Sequence, residues 1–333
     1  MSNNLLIAKK QFFIDKTNKR GEIMKGYGLD LVIVDFGGSY VDFGIFAPAV
    51  VFQKIYNDFA VPITMEEARA PMGVHKKLHI QKISEGERVN AAWKEVYGNP
   101  PSQNDIDAMF EKFVPEQEAV LLQYNNLIPG SLDFLAGIRD RGLVLGSTTG
   151  YTGRMMMDII IPDLMKKGFR QDIAVASTGD YAVWNSQAEK FERGKVNSRV
   201  FNLNSDDKVR ADFTISRPYP HMCNLNALLA GVPFNHHTVK IGDTLSDIDE
   251  GYRAGMWTIG LAVSGNEVGM SLQEWNNTPK EQQDKLRENA YERMILRGAD
   301  YVVDTIADVL PVLDEISTRI NEEELPRSLK SLF

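Results

Sequence analysis

The 333-residue chain has a single cysteine, Cys223, so no disulfide can form within it, and a thiol-preserving compartment is expected rather than an oxidising one. The apolar neighbourhood of Cys223 marks it as a packing residue. No stretch approaches the roughly 18 consecutive apolar residues of a membrane span. Lys9, Lys10, Lys16, Lys19 and Arg20 are scattered among apolar residues at the N-terminus, without the apolar core and cleavage signal of a leader. Positive charge is in deficit, with 37 Lys and Arg against 45 Asp and Glu for a net charge of -8. That balance argues against a nucleic-acid surface, and any anionic substrate must meet local positive groups. No internal repeat is present. The expectation is a soluble cytoplasmic protein with no nucleic-acid or membrane partner, whose residues 1–26 form an N-terminal extension of unassigned role. A hydrophobic content of 43% is ordinary for a globular chain able to build a sizeable core.

Leu31-Val-Ile-Val-Asp35-Phe-Gly37-Gly38 organises the rest. Four aliphatics in a row suit a strand buried on both faces of a parallel sheet. Asp35 then stands at its carboxyl end, where open α/β sheets place their ligands, ahead of a flexible glycine turn. An Asp that merely opens a turn has the same local pattern.

Along the chain, Phe46 to Tyr56 reads as a helix, and Thr64-x-x-Glu67 as a capping box that starts another, stopped by Pro71. A further helix is expected over Gly73 to Ile83, and Ser84-x-x-Glu87 and Ser102 to Asp105 read as more helix starts. Residues 47–128 thus form an all-helical block with no strand pattern. After the turn cluster Asn125 to Gly130, helix and strand alternate again. Strands are expected at Leu143–Ser147, Ile173–Ala176, Thr238–Ile241, Trp257–Val263 and Tyr301–Val303. Helices are expected at 131–141, from about Thr152 to a kink or end near Pro162, at Pro220–Ala230 and Ser246–Ala254, and from about Pro279 and Ile306. A polar, weakly patterned stretch from about Thr178 to Asp212 reads as a long loop. The predicted fold is α/β: a Rossmann-like parallel sheet core at 27–46 and 129–333, carrying the stretch at about 178–212, with an inserted helical cap at 47–128.

Three loops follow strands as Asp35 does. Gly146-Ser-Thr-Thr149-Gly150-Tyr151-Thr152 offers hydroxyls and backbone donors of the kind that hold phosphoryl oxygens, or simply helix caps. Gly242-Asp243-Thr-Leu-Ser-Asp247 carries two carboxylates four apart which, beside Asp35, suit a hard cation such as Mg2+. Ser216-Arg217-Pro-Tyr-Pro220 supplies a fixed positive charge ahead of a helix.

An Asp after the first strand, a hydroxyl after the second, a basic residue and a Gly-Asp-x-x-x-Asp loop, in that order, resemble the haloacid dehalogenase superfamily of phosphoryl-transfer enzymes. The resemblance implies that Asp35 is a nucleophile toward phosphorus and that the acidic loop holds Mg2+. Phosphatases of that superfamily carry a second Asp, a general acid and base, two residues after the nucleophile; here that position is Gly37. Pro71-Met72-Gly73-Val-His75-Lys76-Lys77-Leu78-His79 narrows the resemblance to the phosphonatase branch, the phosphonoacetaldehyde hydrolases. So do Glu67-Ala-Arg69, Arg217-Pro-Tyr-Pro220 and Gly255-Met-Trp-Thr258, and the match covers roughly residues 29–320 apart from the polar stretch.

That branch implies a Schiff base between Lys76 and an aldehyde, because breaking a carbon–phosphorus bond leaves a carbanion that an adjacent iminium absorbs as an enamine. For this the amine must be neutral, through burial or neighbouring cations such as Lys77. His79, three residues on, would move protons. The resemblance further implies Mg2+ on Asp35, the Gly37 carbonyl and Asp243, with Asp247 close by. It puts the phosphoryl group of a small phosphonate on Thr149, Gly150 and Arg217, and Met72, Gly73 and Tyr151 in the lining. It also implies a homodimer formed through the cap.

The family usually reads Asp-Trp-Ala-Gly-Thr where this chain has Asp35-Phe-Gly-Gly-Ser39. Ile45 stands in place of a cysteine and Leu78 in place of an Asp. The alternatives are a phosphatase of small phosphate esters that tolerates Lys76→Arg, and a non-catalytic binding relative. Gly37 counts against the first, and the pairing of Asp35 with Asp243 against the second. Tyr181, Trp184 and Phe191 in the polar stretch suit either a cover over the site, a partner surface or a solvated loop.

Overall fold

The computed structural model describes residues 27–169, 174–177, 180–185, 190–195 and 217–330. The chain opens with β1 (Leu31–Val34), followed by five helices, α1 (Phe46–Asp58), α2 (Met65–Arg69), α3 (Lys76–Glu85), α4 (Glu87–Tyr97) and α5 (Gln103–Tyr124). Next come α6 (Ser131–Asp140), β2 (Val144–Thr149), a π-helical turn (Met155–Ile160) running into α7 (Ile161–Lys166), β3 (Ala174–Ser177), β4 (Asp180–Asn185) and β5 (Lys190–Lys195). The last part holds α8 (His221–Ala230), β6 (Thr238–Gly242), α9 (Leu245–Arg253), β7 (Trp257–Leu261), α10 (Leu272–Asn277), α11 (Lys280–Arg297), β8 (Tyr301–Val303), α12 (Val309–Asn321) and α13 (Arg327–Lys330).

β1 is buried throughout because its alternate side chains serve two cores. Val32 and Val34 face the main cluster with Phe36, Tyr40, Leu145 and Ile241, while Leu31 and Ile33 face Cys223, Ala227 and Met256 under α8. Cys223 is therefore a packing residue. β3, β2, β1, β6, β7 and β8 are parallel neighbours in that order. The chain winds one way from β1 to β3 and the other way from β6 to β8. The order reverses between β1 and β6, so their carboxyl ends open a crevice, and Asp35 and Asp243 leave the sheet there. Register reinforces this: Val34 pairs with both Ser147 and Ile241, and the Asp35 amide donates to the Ile241 carbonyl at 3.0 Å.

The five helices α1–α5 share a separate apolar cluster that includes Phe52, Tyr56, Ile80, Trp93, Met109 and Phe113. Two capping boxes form as expected, Thr64 with Glu67 and Ser102 with Asp105. Other boundaries differ from the sequence reading. The helix expected from Gly73 begins at Lys76, capped by His75, whose Nδ1 accepts the Lys77 amide. Ser84 starts no helix: it lies inside α3, buried, with its hydroxyl 2.7 Å from that of Tyr56, and α4 begins after Gly86 without a side-chain cap. The helix after Thr152 is not broken by Pro162, which falls in the first turn of α7 after the π-helical turn.

The largest correction concerns residues 178–212. In place of one long loop, β4 and β5 form an antiparallel hairpin that extends the sheet beyond β3. The remainder of that stretch and the N-terminal extension 1–26 lie outside the described residues, and of Tyr181, Trp184 and Phe191 only the backbone is described. No helix among the described residues is long and apolar enough to cross a membrane.

Candidate active site

Asp35 is fixed by its strand, and the turn that follows is shaped by close contacts. Gly38 has φ +74°, and a Cβ there would fall 2.3 Å from Asp243 Oδ2, so glycine is required on both counts. The loop then delivers Asp42, which accepts the Phe46 and Ala47 amides at 2.9 and 2.7 Å and so caps α1. This cap ties the loop that carries Asp35 to the first helix of the helical block.

A Cβ on Gly37 would lie 2.3 Å from Ile45 Cδ1 and 3.4 Å from the Tyr151 hydroxyl. Ile45 is buried against Ala49 and Met72. The two departures from the family pattern, glycine for alanine and isoleucine for cysteine, therefore meet in one space. No side chain fits at 37 while Ile45 holds this position, so the general acid of a phosphatase has no room there.

One small, partly open cavity with about 30 Å³ accessible to a water-sized molecule, room for roughly two waters, gathers most of the expected residues. From the core come Asp35, Gly37, Thr149, Gly150, Tyr151, Arg217 and Asp243, and from the loop before α3 and its first residue come Met72, Gly73 and Lys76. Ile45 and Thr244, unassigned from sequence, also line it. His79 and Asp247 do not. His79 is fully buried in the helical block, stacked at 3.9 Å on Phe52, with Nε2 2.8 Å from the Ala68 carbonyl. Burial, with the Lys76 charge adding, holds it well below its ordinary value and hence neutral.

Lys76 is the first residue of α3 and is 7% exposed. Its Nζ stands 5.6 Å from the Tyr151 ring centroid and 5.9 Å from that of Phe52. Burial lowers its amine to about 8; Arg217 pushes the same way and Asp35 opposes it. The positive end of the α3 dipole has the same sign of effect. Lys77 is not the cause: its Nζ is paired with Asp107 at 2.7 Å.

Beneath Asp35 lies a charge network. Arg217 donates from Nη2 to Asp35 Oδ1 at 2.5 Å, and its Nη1 and Nε pair with Asp247 Oδ1 at 2.9 Å and Glu250 Oε2 at 3.4 Å. Lys240, from the middle of β6, reaches Asp247 Oδ1 at 2.8 Å, the Thr148 hydroxyl at 2.9 Å and Glu250 Oε2 at 3.4 Å. Thr148 in turn donates to Glu250 at 2.9 Å. Asp247 uses its other oxygen to close the capping box of α9 with Thr244. Lys240, Glu250 and Thr148 escaped the sequence reading. A lysine inside an otherwise apolar strand was the available signal, because such a charge requires buried partners.

Asp35, Asp243 and Asp247 each bring a carboxylate oxygen within 4.8 Å of the others. Burial raises Asp35 from its usual range, with Arg217 pulling back; Asp243 is held far higher, by burial and then by the charges of Asp35 and Asp247. Asp243 Oδ2 accepts the Asn266 amide at 2.9 Å, and Oδ1 has no hydrogen-bond partner among the described residues. Four buried carboxylates, counting Glu250, face two fixed cations, Arg217 and Lys240. The carboxylates outnumber these two cations, and Asp243 keeps an orphaned oxygen among the described residues. The donor set therefore fits a divalent cation with oxygen ligands, chiefly through Asp35 and Asp243, while Asp247 anchors the two basic side chains.

No family model matches the chain. It is 36% identical over 298 residues to the phosphonoacetaldehyde hydrolase of Bacillus anthracis, covering 89% of this chain and 98% of the relative. The phosphonoacetaldehyde hydrolase of Bacillus mycoides is 36% identical over 290 residues, covering 86% and 96%. Among solved structures, a phosphonoacetaldehyde hydrolase-like protein from Oleispira antarctica superposes with a TM-score of 0.77 at 28% identity, covering 90% of this chain and 97% of that one. A predicted phosphoglycolate phosphatase from Haemophilus somnus, at 14% identity and TM-score 0.54, shares the fold.

Proposed function

We propose, because this chain belongs to the phosphonoacetaldehyde hydrolase family of the haloacid dehalogenase superfamily and is a hydrolase acting on carbon–phosphorus bonds, that its substrate is phosphonoacetaldehyde or a close phosphono-aldehyde. The products are an aldehyde and phosphate. The observation that carries this reading is that a carboxylate, Asp35, and a buried lysine with an amine lowered to about 8, Lys76, line the same cavity.

In the proposed sequence the neutral Lys76 amine adds to the aldehyde carbon, and loss of water gives an imine. The imine nitrogen takes up a proton, Asp35 attacks phosphorus, and the carbon–phosphorus bonding pair moves into the iminium to give the enamine. The phosphoryl group passes to Asp35 and is released by water; the enamine takes up a proton and the imine is hydrolysed. Arg217 and the Thr149-Gly150 backbone hold the phosphoryl oxygens, and Tyr151 and Met72 shape the aldehyde end. Mg2+, held by Asp35, Asp243 and the Gly37 carbonyl, would neutralise charge on the transferring group when bound. His79, neutral and one helical turn from Lys76, supports the helix start that presents the lysine, and a proton-moving role remains part of the proposal. The tight cavity calls for the cap to swing aside for entry, with closure excluding water.

A cytoplasmic homodimer paired through the cap belongs to the same reading; exposed Val96 and Tyr97 at the end of α4 support it, and sedimentation distinguishes dimer from monomer. The phosphatase alternative is disfavoured by the closed space at Gly37.

The test is to mix the protein with phosphonoacetaldehyde and sodium borohydride, map any mass adduct, and assay phosphate in parallel. An adduct on Lys76 with Mg2+-dependent phosphate release is expected, and both disappear in Lys76→Arg. Turnover of phosphate esters by Lys76→Arg, without an adduct in the parent protein, would replace this reading with the phosphatase one.

A further inference from the structure

A second cavity lies on the cap side of Lys76. About 20 Å³ of it is open to a water-sized molecule, enough for one water. His75 and Lys76 line it from the cap and first residue of α3, Gln117 from α5, and Tyr151 and Thr152 from the core. Lys76 lines this cavity and the main one alike. The rest of the lining is apolar, with Phe113, Val114 and Met155 among it.

Gln117 is the unusual member. It is fully buried, and neither its Oε1 nor its Nε2 has a hydrogen-bond partner among the described residues. A buried amide in that state bears the desolvation penalty of each unmet group, which Leu or Met in the same helix would avoid. An amide offers one donor end and one acceptor end, and the guest that satisfies both in so small a space is a water molecule. The Thr152 hydroxyl, which accepts the Met155 amide at 3.2 Å, keeps its own proton to donate.

We propose that this cavity is a built water site, and that Gln117 is a positioning residue holding in it the water that Lys76 chemistry releases and takes back. The inference rests on the imine reading of Lys76 given above. Carbinolamine formation makes a bond from Nζ to the aldehyde carbon and moves one proton from nitrogen to the carbonyl oxygen. Dehydration breaks the carbon–oxygen bond: the hydroxyl takes up one proton from solvent and leaves as water, and an iminium remains. After phosphoryl transfer to Asp35 and protonation of the enamine carbon, one water adds back to the same carbon, the carbon–nitrogen bond breaks, and the amine and aldehyde are restored. Thr149, Gly150 and Arg217 hold the phosphoryl end in the main cavity. The second cavity gives the departing and returning water a place beside Nζ that does not cross the phosphoryl group.

The test uses acetaldehyde, the product, with borohydride, so that imine capture is read without any phosphorus chemistry. Gln117→Leu removes the amide at similar volume, and Val114→Ile fills the cavity while leaving the amide in place. Both are expected to slow capture on Lys76 by about tenfold or more, within the range of positioned proton-transfer groups, with inhibition by inorganic phosphate unchanged. A crystal structure of the parent protein is expected to show one water within hydrogen-bond distance of the Gln117 amide and Lys76 Nζ. Capture at the parent rate in either folded variant, a dry cavity, or the ethyl carbons of the reduced adduct lying in it, overturns this inference alone. Absence of any Lys76 adduct in the parent protein overturns instead the imine reading beneath it.

Discussion

Replacing Gly37 by alanine and Ile45 by cysteine, singly and together, asks whether these two positions exchange volume. The Cβ of alanine at 37 would stand 2.3 Å from Ile45 Cδ1, well inside a carbon–carbon contact. Because Cδ1 is the free end of a side chain, it can rotate away, and the cost is that of overpacking with off-rotamer strain, about 1–2 kcal/mol. Ile45→Cys removes roughly two carbons from a side chain only 5% exposed, a transfer and cavity loss of about 2 kcal/mol. If the sites were independent, the double variant would lose about 3–4 kcal/mol. If the alanine methyl enters the space that Cδ1 vacates, the double variant loses only about 1–2 kcal/mol, a coupling of about 2 kcal/mol. Thermal unfolding of the four proteins measures this, since each kcal/mol moves the midpoint by about 2–4 °C in a domain of this size. A non-additivity of about 4–8 °C is expected. Additive shifts would refute the packing argument, and with it the reason given for the exclusion of a general acid at 37.

The Lys76 amine sets a pH dependence. Imine capture should rise about tenfold per pH unit below pH 8 and level off above it, because the neutral amine reacts; a flat profile from pH 6 to 8 would contradict the assigned value. Stability follows the same group: between about 8 and the ordinary 10.5 the unfolded chain holds the proton that the folded chain has lost. Stability contributed there therefore rises with pH, a slope that Lys76→Met should abolish in titrated urea melts. Saturating Mg2+ should stabilise the protein by about 2.7 kcal/mol at a hundredfold excess over Kd, and not the Asp243→Asn variant, which should itself melt higher than the parent without metal. Equal stabilisation of both would remove Asp243 from the metal site. Glu250→Ala, which leaves Arg217 and Lys240 short of a buried counter-charge, should cost about 3–5 kcal/mol, read from denaturant midpoints; a loss under 1 kcal/mol would mean that water replaces the carboxylate.

What was legible in the sequence was local. β1 could be read because four aliphatics serve two cores at once, and the starts of α2 and α5 because a capping box closes within four residues. The same local rule failed at Ser84, whose spacing to Glu87 imitates a box while its hydroxyl pairs with Tyr56, 28 residues away. The hairpin of β4 and β5 was missed because Asp180–Asn185 shows no strict alternation and Lys190–Lys195 carries one large apolar residue, Phe191. The Lys240 network was missed because its partners come from Thr148, Asp247, Glu250 and Arg217, brought together only by the sheet. Most of the cavity lining was visible through family resemblance. The meeting of Gly37 with Ile45 needed coordinates, since seven residues of turn separate them.

The site also has to solve a conflict that burial creates. Imine chemistry needs a neutral lysine and phosphoryl transfer a charged carboxylate, yet desolvation pushes both groups toward their neutral forms. For Lys76 that push is useful, and its surroundings add little to oppose it: two aromatic faces and the positive end of a helix, with Asp35 the largest counter-effect. For Asp35 the push is harmful, and the fold answers with Arg217 directly on the carboxylate. Arg217 would itself be costly to bury alone, so Asp247 and Glu250 hold it from behind, and Lys240 balances them in turn. The division of labour between the two sides of the cavity follows: fixed charges stand under the group that must stay ionised, and apolar rings around the group that must not. Placing a carboxylate in the cavity that Lys76 lines, as in Val114→Asp, should therefore raise its amine and depress imine capture at pH 7 more than at pH 9, and equal loss at both would show that charge is not what that side of the site excludes.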